Sequence, residues 1–105
     1  MHYVLINGRP TYEPDADKWA EWFETSEQER VVHQTEVDGL RVSTAFIGID
    51  LRVLGSGPPL VYETMIFDAE GEVAMGGYQQ RYGTLGEAKQ GHWNVVEQIR
   101  AGRSA

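Results

Sequence analysis

Apolar and polar residues alternate on both sides of Asp38-Gly39, and this alternation is the clearest structural signal in the sequence. An Asp-Gly pair accepts the positive φ angles of a two-residue type I′ turn, so it joins two antiparallel strands in a defined register. We therefore predict a hairpin with strands over 31–37 and 40–54. The register places these pairs opposite each other: Val37 with Leu40, Glu36 with Arg41, Thr35 with Val42, His33 with Thr44, and Val31 with Phe46.

Beyond Ala45 the second strand of this hairpin carries apolar residues on both faces. Such a strand is typical of the covered centre of a sheet, although Gly48 offers the alternative of a bend. Further strands are predicted over 3–6, 60–67, from Glu72, and over 78–82, with turns or breaks at 7–8, 55–59, 68–71 and 76–77. The pattern predicts an antiparallel meander of about five strands.

The first of two predicted helices spans 14–25. Pro14 is tolerated in a first turn, and Asp15 and Asp17 favour the positive end of the helix dipole. Aromatic residues spaced i, i+3 and i+4, with alanines beside them, form its predicted core face: Trp19, Trp22 and Phe23 with Ala16 and Ala20.

The last helix is predicted to begin at Leu85, because Thr84 and Glu87 form a T-x-x-E capping box. Gly102 is expected to end it. Gly86 and Gly91 each weaken a helix by about 1 kcal/mol relative to Ala, so packing must hold this helix in place. Its apolar stripe consists of Leu85, Ala88, His92, Val95, Val96 and Ile99.

Length and composition fit a globular protein. The 105 residues are 41% hydrophobic, which suits one packed core and is too apolar for a disordered chain. With the elements above, this predicts a single α+β domain over 1–105. The absence of cysteine excludes disulfides, thiolate nucleophiles and cysteine-ligated metals, and it favours a cytoplasmic location. No segment approaches the ~20 apolar residues that span a bilayer, so no membrane association is expected.

The net charge of −7 argues against a protein that neutralises phosphates, so direct nucleic-acid binding is not expected. Residues 13–36 include eight acidic against two basic side chains, whereas residues 76–105 include two acidic against four basic ones. The acidic first helix suits a basic partner. The more usual explanation is that its charges are the solvated back of an amphipathic helix.

Three side chains are candidates for acid–base chemistry. Glu63 alternates with apolar residues at 61, 65 and 67, so it is either a carboxylate in an apolar wall or the partner of Arg52 or Arg81. His33 and His92 are each more typical of hydrogen-bonded structural residues than of catalytic ones. The sequence contains no metal-ligand pair, calcium loop, phosphate loop or nucleophile elbow, so no metal or cofactor is predicted.

The segment 78–82 is the most suggestive binding surface. Tyr78, Gln80 and Tyr82 share one strand face, and Gln79 and Arg81 share the other. Rings, amides and a guanidinium beside a helix N-terminus suit a planar or anionic ligand. The alternatives are a solvated edge strand or an edge that pairs with a second copy of the chain.

Three motifs resemble a family of small proteins encoded in tailed-phage and prophage genomes. They are VST-x-F-x-G-x-D at 42–50, PPL-x-x-ETM-x-F at 58–67 and RY-x-T-x-x-EA-x-x-GH at 81–92, and the resemblance covers nearly the whole chain. The chain departs from the family pattern at Leu51, where His is common, and at Leu85, where Trp is common. The resemblance implies a small accessory protein that acts in the cytoplasm of an infected bacterium in host takeover or counter-defence.

The sequence therefore predicts a non-enzymatic binding protein that modulates host functions by binding a host protein and forms a homo-oligomer through its sheet edges. The alternatives are a sponge for a nucleotide-type immune signal and a small hydrolase that uses Glu63 or His92. The predicted contact residues are Tyr78, Gln80, Arg81, Tyr82 and His92, with Glu63 and Asp50 as polar supports.

Overall fold

The computed structural model describes residues 1–52 and 57–104, the last two of these by their backbone alone. The fold is α+β, as predicted. Its elements in chain order are β1 (Tyr3–Ile6), β2 (Arg9–Tyr12), α1 (Ala16–Thr25), α2 (Glu27–Arg30), β3 (Val31–Val37), β4 (Leu40–Phe46), β5 (Tyr62–Phe67), β6 (Gln79–Tyr82) and α3 (Leu85–Ser104). The predicted 55–59 loop and the end of the predicted 40–54 strand lie partly outside the described residues.

The main sheet is a four-stranded antiparallel meander in the order β3, β4, β5, β6, where about five strands were predicted. β1 is not part of it, because the Asn7-Gly8 turn folds β1 back onto β2 in a separate two-stranded hairpin. The strand predicted from Glu72 is reduced to one bridge, between Phe67 and Val73. Residues 75–77 all adopt positive φ, which ends extended backbone there.

The β3–β4 hairpin has the predicted turn, with φ of 51° at Asp38 and 77° at Gly39. Its register agrees with the prediction from Val37 opposite Leu40 as far as the pairing of His33 with Thr44. The last predicted pair is wrong, since Val31 lies opposite Ala45. A bulge between residues 31 and 33 adds one residue to β3 and shifts the pairing.

β4 ends at Phe46 and does not continue over the predicted range, and of the two predicted alternatives the structure shows the bend at Gly48. The φ of Gly48 is +69°, and its carbonyl accepts a hydrogen bond from the Tyr3 backbone N–H at 2.8 Å. A side chain at residue 48 would also collide with the Tyr3 carbonyl and the Trp19 indole nitrogen. Gly48 is therefore the point at which the β1–β2 hairpin and α1 meet the end of β4.

α1 begins two residues later than predicted, because Asp15 is its N-cap and accepts hydrogen bonds from the backbone N–H groups of residues 17 and 18. Its aromatic side chains are only half-buried, and Ala16 and Ala20 are exposed, so the predicted core face is narrower than expected. The edge of Trp22 packs on Phe46, with ring centroids 5.8 Å apart. The short helix α2 was not predicted.

α3 begins at Leu85, as predicted, and packs across all four strands of the main sheet. The Thr84 hydroxyl accepts from the Glu87 backbone N–H at 3.1 Å and donates to the Glu87 carboxylate at 3.0 Å. The prediction that Gly102 ends the helix is wrong, since α3 continues to Ser104. Leu85 is 40% exposed, but the rest of the predicted stripe is buried or half-buried: Ala88, His92, Val95, Val96 and Ile99.

The sheet has two distinct faces. The face under α3, here the helix-covered face, carries all the buried residues of the two central strands except Glu63: Val42, Thr44 and Phe46 on β4 and Tyr62, Thr64 and Ile66 on β5. The opposite face is described below. None of the helices in the described ranges combines the length and the apolar character needed to cross a bilayer.

Candidate functional site

The face of the sheet turned away from α3, here the open face, is formed by cross-strand rows of side chains. The central strands contribute Ser43, Ala45 and Met65, which are half-buried even though both neighbouring strands are present. Residues in the middle of a sheet remain accessible only when nothing is layered on them. The rows are Glu36, Arg41 and Phe67; Gln34, Ser43, Met65 and Gln79; and Ala45, Glu63 and Arg81.

Glu63 and Arg81 form an ion pair at one end of the open face. Arg81 Nε donates to Glu63 Oε2 at 3.2 Å, and Arg81 Nη1 donates to the Ile49 carbonyl at 3.0 Å. Glu63 is 9% exposed, whereas the Arg81 side chain is 30% exposed. Of the two roles predicted for Glu63, the structure therefore shows the paired carboxylate, with Arg81 as the partner.

A cleft of about 370 Å³ opens beside this pair, between Arg81 and the segment that carries Asp50 and Arg52. Arg52 Nη2 lies 3.1 Å from Asp50 Oδ2 and donates to the Pro58 carbonyl at 2.8 Å. The hydrogen bond from Arg52 lowers the pKa of Asp50, so this carboxylate is anionic at neutral pH. The cleft thus holds two arginines that are already paired with two carboxylates.

The residues predicted as one binding strand are divided between the two faces. Tyr82 lies opposite Tyr62 on the helix-covered face. Tyr78 packs against the buried cluster between the sheet and α3, which consists of Val37, Val42, Ile66, Val95 and Val96. Gln80 pairs with Thr64, and its side chain is exposed at the sheet edge. Arg81 belongs to the open face. A ligand on one face therefore does not contact both the tyrosine rings and the guanidinium.

His92 is fully buried between α3 and the sheet. Its Nε2 lies 2.8 Å from the Thr35 hydroxyl, and its Nδ1 lies 2.8 Å from the Thr44 hydroxyl. The Thr44 hydroxyl is in turn hydrogen-bonded to Thr64. Burial, and the charge of His33 as a lesser cause, lower the pKa of His92. The ring is held as a neutral structural group, and it does not reach the surface.

The predicted site residues therefore form two groups. Asp50, Glu63 and Arg81 come together at the open face, with the cleft beside them. Tyr82 and His92 belong to the packing between the sheet and α3. In the part of the chain that the structure describes, no group of three His, Asp or Glu side chains is placed to hold a metal ion.

The sequence interpretation missed the central residues of the open face, Ser43, Ala45 and Met65. The signal for them was present in the hairpin register, which places Ser43 and Ala45 on the face opposite the apolar ladder of Val42 and Phe46. What the register does not show is which face a helix covers. That depends on contacts between α3 and strands more than forty residues earlier.

The chain was compared with protein-family models, with curated proteins and with solved structures, and none of the three comparisons gave a match.

Proposed function

We propose that this protein is a non-enzymatic binding protein of a phage-infected bacterium and that it modulates host functions by binding a host protein through its open face. The observation that carries the proposal is the half-exposed centre of the four-stranded sheet, at Ser43, Ala45 and Met65. A face of this kind supplies a surface with small and apolar side chains, Ala45 and Met65, beside Ser43 at its centre and polar side chains at its rim, as many protein interfaces do. The flexible thioether of Met65 and the guanidinium of Arg81 are side chains that interfaces favour.

The charge around this face favours a basic partner. A groove of about 440 Å³ at the β3–β4 end is lined by Glu36, Asp68 and Glu70 against Arg41. The chain as a whole carries a net charge of −7. Negative potential at the rim steers association with a positively charged surface and disfavours acidic ones. We expect binding to weaken as the salt concentration rises, because rim charges are screened.

The hydrolase alternative is less well supported. His92 is fully buried, and both of its ring nitrogens are engaged with threonine hydroxyls, so a substrate does not reach it. The Glu63 carboxylate is held by Arg81. The nucleotide-sponge alternative places the tyrosine rings and Arg81 around one pocket, and because they lie on opposite faces of the sheet in one chain, that pocket would have to form between subunits.

The homo-oligomer remains a prediction. β3 and β6 are the outermost strands of the main sheet, so each has an edge at which a strand of a second copy would pair. Native mass spectrometry measures the oligomeric state directly, and a purely monomeric mass at micromolar concentration would contradict this part of the proposal.

The proposal is tested by comparing two variants with the same charge change. Ser43→Arg places a long cation at the centre of the open face, whereas Asn94→Arg places it on the exposed back of α3. Tagged proteins are used as bait in lysate from infected host cells. We expect a host protein to be captured by the wild type and by Asn94→Arg and to be lost from Ser43→Arg, with both variants folded by circular dichroism.

A photo-crosslinking amino acid at position 43 identifies the same contact inside the cell. We expect a crosslinked host protein with the probe at position 43 and none with the probe at position 94. Equal crosslinking from the two positions, or retention of the partner by Ser43→Arg, would overturn the assignment of the open face.

A further inference from the structure

A separate cavity of about 230 Å³ opens between the β1–β2 turn, the start of β3 and the first turn of α3. Phe46 is fully buried and Tyr62 is 2% exposed, so these rings lie beneath the cavity, and the apolar lining that a ligand can contact includes the half-buried Leu5 and Val32. Val31 and Leu85 are 41% and 40% exposed and lie at the mouth. The apolar lining as a whole is Leu5, Val31, Val32, Phe46, Tyr62 and Leu85. The cavity is thus preformed and accessible.

Two cations, Arg30 and Lys89, line the same cavity, together with one acid, Glu29. Leu85, which also lines the cavity, is the first residue of the 20-residue helix α3, so the positive end of that helix faces the same region. Glu27 also acts on the charge of Arg30, so two acidic and two basic side chains roughly balance and the positive end of α3 remains. A ligand carboxylate is therefore favoured where Lys89 and that helix end meet the cavity.

Arg30 is held in place but is incompletely paired. Its guanidinium carbon lies 3.6 Å from the centroid of the Phe23 ring. Its Nε is buried and has no hydrogen-bond partner among the described residues. Burial lowers the pKa of Arg30 and Glu27 opposes that shift. The Arg30 side chain also lines the cavity, so its guanidinium is placed to give a ligand oxygen a charge-assisted hydrogen bond.

We propose that this cavity binds a small amphipathic carboxylate, with its apolar body against Leu5, Val32 and Leu85 and its carboxylate at Arg30 and Lys89. At roughly 30 Å³ per water-sized group, the cavity has room for about eight such groups, the size of hexanoate or benzoate. Phe46 and Tyr62, which lie beneath the cavity, are on the helix-covered face of the sheet and not on the open face. The site is therefore independent of the proposed protein-binding surface, and a negative result for one proposal leaves the other unaffected.

The test is a titration followed by protein NMR with three probes. Hexanoate combines an apolar body and an anion, hexanol has only the apolar body, and inorganic phosphate has only the charge. We expect saturable shifts of the Leu5, Val32 and Leu85 amide resonances with hexanoate, at an affinity about tenfold higher than that of hexanol. Phosphate is expected to give no saturable shift at these residues. Equal affinity for hexanoate and hexanol, or no saturable shift with hexanoate, would overturn the proposal.

Two lysine variants separate a local charge from the net charge of the protein. Lys89→Met removes a cation that lines the cavity, and Lys18→Met removes an exposed one on α1 that does not. We expect Lys89→Met to weaken hexanoate binding about threefold without changing the affinity for hexanol. Lys18→Met should bind hexanoate as the wild type does. An equal loss in both variants would show an effect of net charge and would contradict a site at Lys89.

Discussion

The ring of Tyr82 occupies the space in which a β-carbon on residue 91 would lie, so packing requires Gly91 in the middle of α3. Helix propensity alone makes this glycine a weakness. The contact with Tyr82 explains why residue 91 is a glycine. At this point α3 lies so close to β6 that the Tyr82 ring leaves no room for a side chain on the helix. Gly86, five residues earlier, has no atom within 4 Å of the position that its β-carbon would take.

The two glycines should therefore respond in opposite ways to the same substitution. Gly86→Ala is expected to raise the free energy of unfolding by about 0.5–1 kcal/mol, because Ala is the better helix former. Gly91→Ala is expected to lower it by about 1–3 kcal/mol, because the methyl group displaces the Tyr82 ring. Urea denaturation followed by circular dichroism measures both changes.

A double-mutant cycle checks the cause of the Gly91 effect. In a Tyr82→Ala background the ring is absent, so adding Gly91→Ala should no longer destabilise the protein. If Gly91→Ala stabilises the wild-type protein as Gly86→Ala does, the result would contradict the claim that the Tyr82 ring leaves no room for a β-carbon at residue 91.

Gly48 holds the β1–β2 hairpin and α1 against the end of β4, and its replacement should be costly for two reasons. Its φ is +69°, and an added β-carbon would collide with the Tyr3 carbonyl and the Trp19 indole. Gly8 has a similar φ of +77° but open space around it, so Gly8→Ala carries the backbone cost alone, about 1 kcal/mol. Gly48→Ala should cost about 1–3 kcal/mol more than Gly8→Ala.

The NMR resonance of the Trp19 indole N–H reports on the contact between Gly48 and Tyr3, since this N–H donates to the Tyr3 carbonyl at 3.0 Å. We expect that resonance to shift in Gly48→Ala and to keep its position in Gly8→Ala. Equal loss of stability in the two variants would show that backbone conformation alone matters at residue 48.

Local signals predicted most of the elements, because each depends on a few adjacent residues. Asp38-Gly39 determined a hairpin register that is correct over most of its length, and Thr84 with Glu87 located the start of α3. Asn7-Gly8 is an equally strong hairpin signal, and it implies a second strand after the turn, which is β2. Pro10 obscured that strand, since proline is unusual in a sheet interior.

The candidate site was less predictable, because it depends on contacts between distant residues. The partner of Glu63 was left open between Arg52 and Arg81, and the choice depends on how β6 aligns with β5 across the 68–78 connection. Positive φ angles at Met75, Gly76 and Gly77 shape that connection, and a left-handed methionine is not evident from sequence. The burial of Tyr82 likewise follows from the position of α3.

The Glu63–Arg81 pair should contribute to stability mainly by keeping a buried carboxylate partnered. Arg81→Met leaves Glu63 without its cation, and we expect the free energy of unfolding to fall by about 1–3 kcal/mol. Adding Glu63→Gln removes the unpaired charge, so the double variant should be more stable than Arg81→Met alone. Urea denaturation at neutral pH measures the three proteins, and a double variant less stable than Arg81→Met would contradict this account.

Stability should fall with acidification because His92 is buried in its neutral form. Its pKa in the folded protein lies below the 6.5 of an unperturbed histidine, so the unfolded chain takes up the proton first. The contribution of neutral His92 to the free energy of unfolding is complete above pH 6.5. It is lost progressively as the pH falls towards the lower pKa that His92 has in the folded protein. Chemical denaturation between about pH 5 and pH 7, above the usual range of carboxyl groups, limits the titrating side chains to the histidines. His92→Gln should flatten the pH dependence even if it lowers stability throughout, whereas His2→Gln should keep the wild-type slope since His92 is intact. A slope in His92→Gln as steep as that of the wild type would assign the pH dependence to another group.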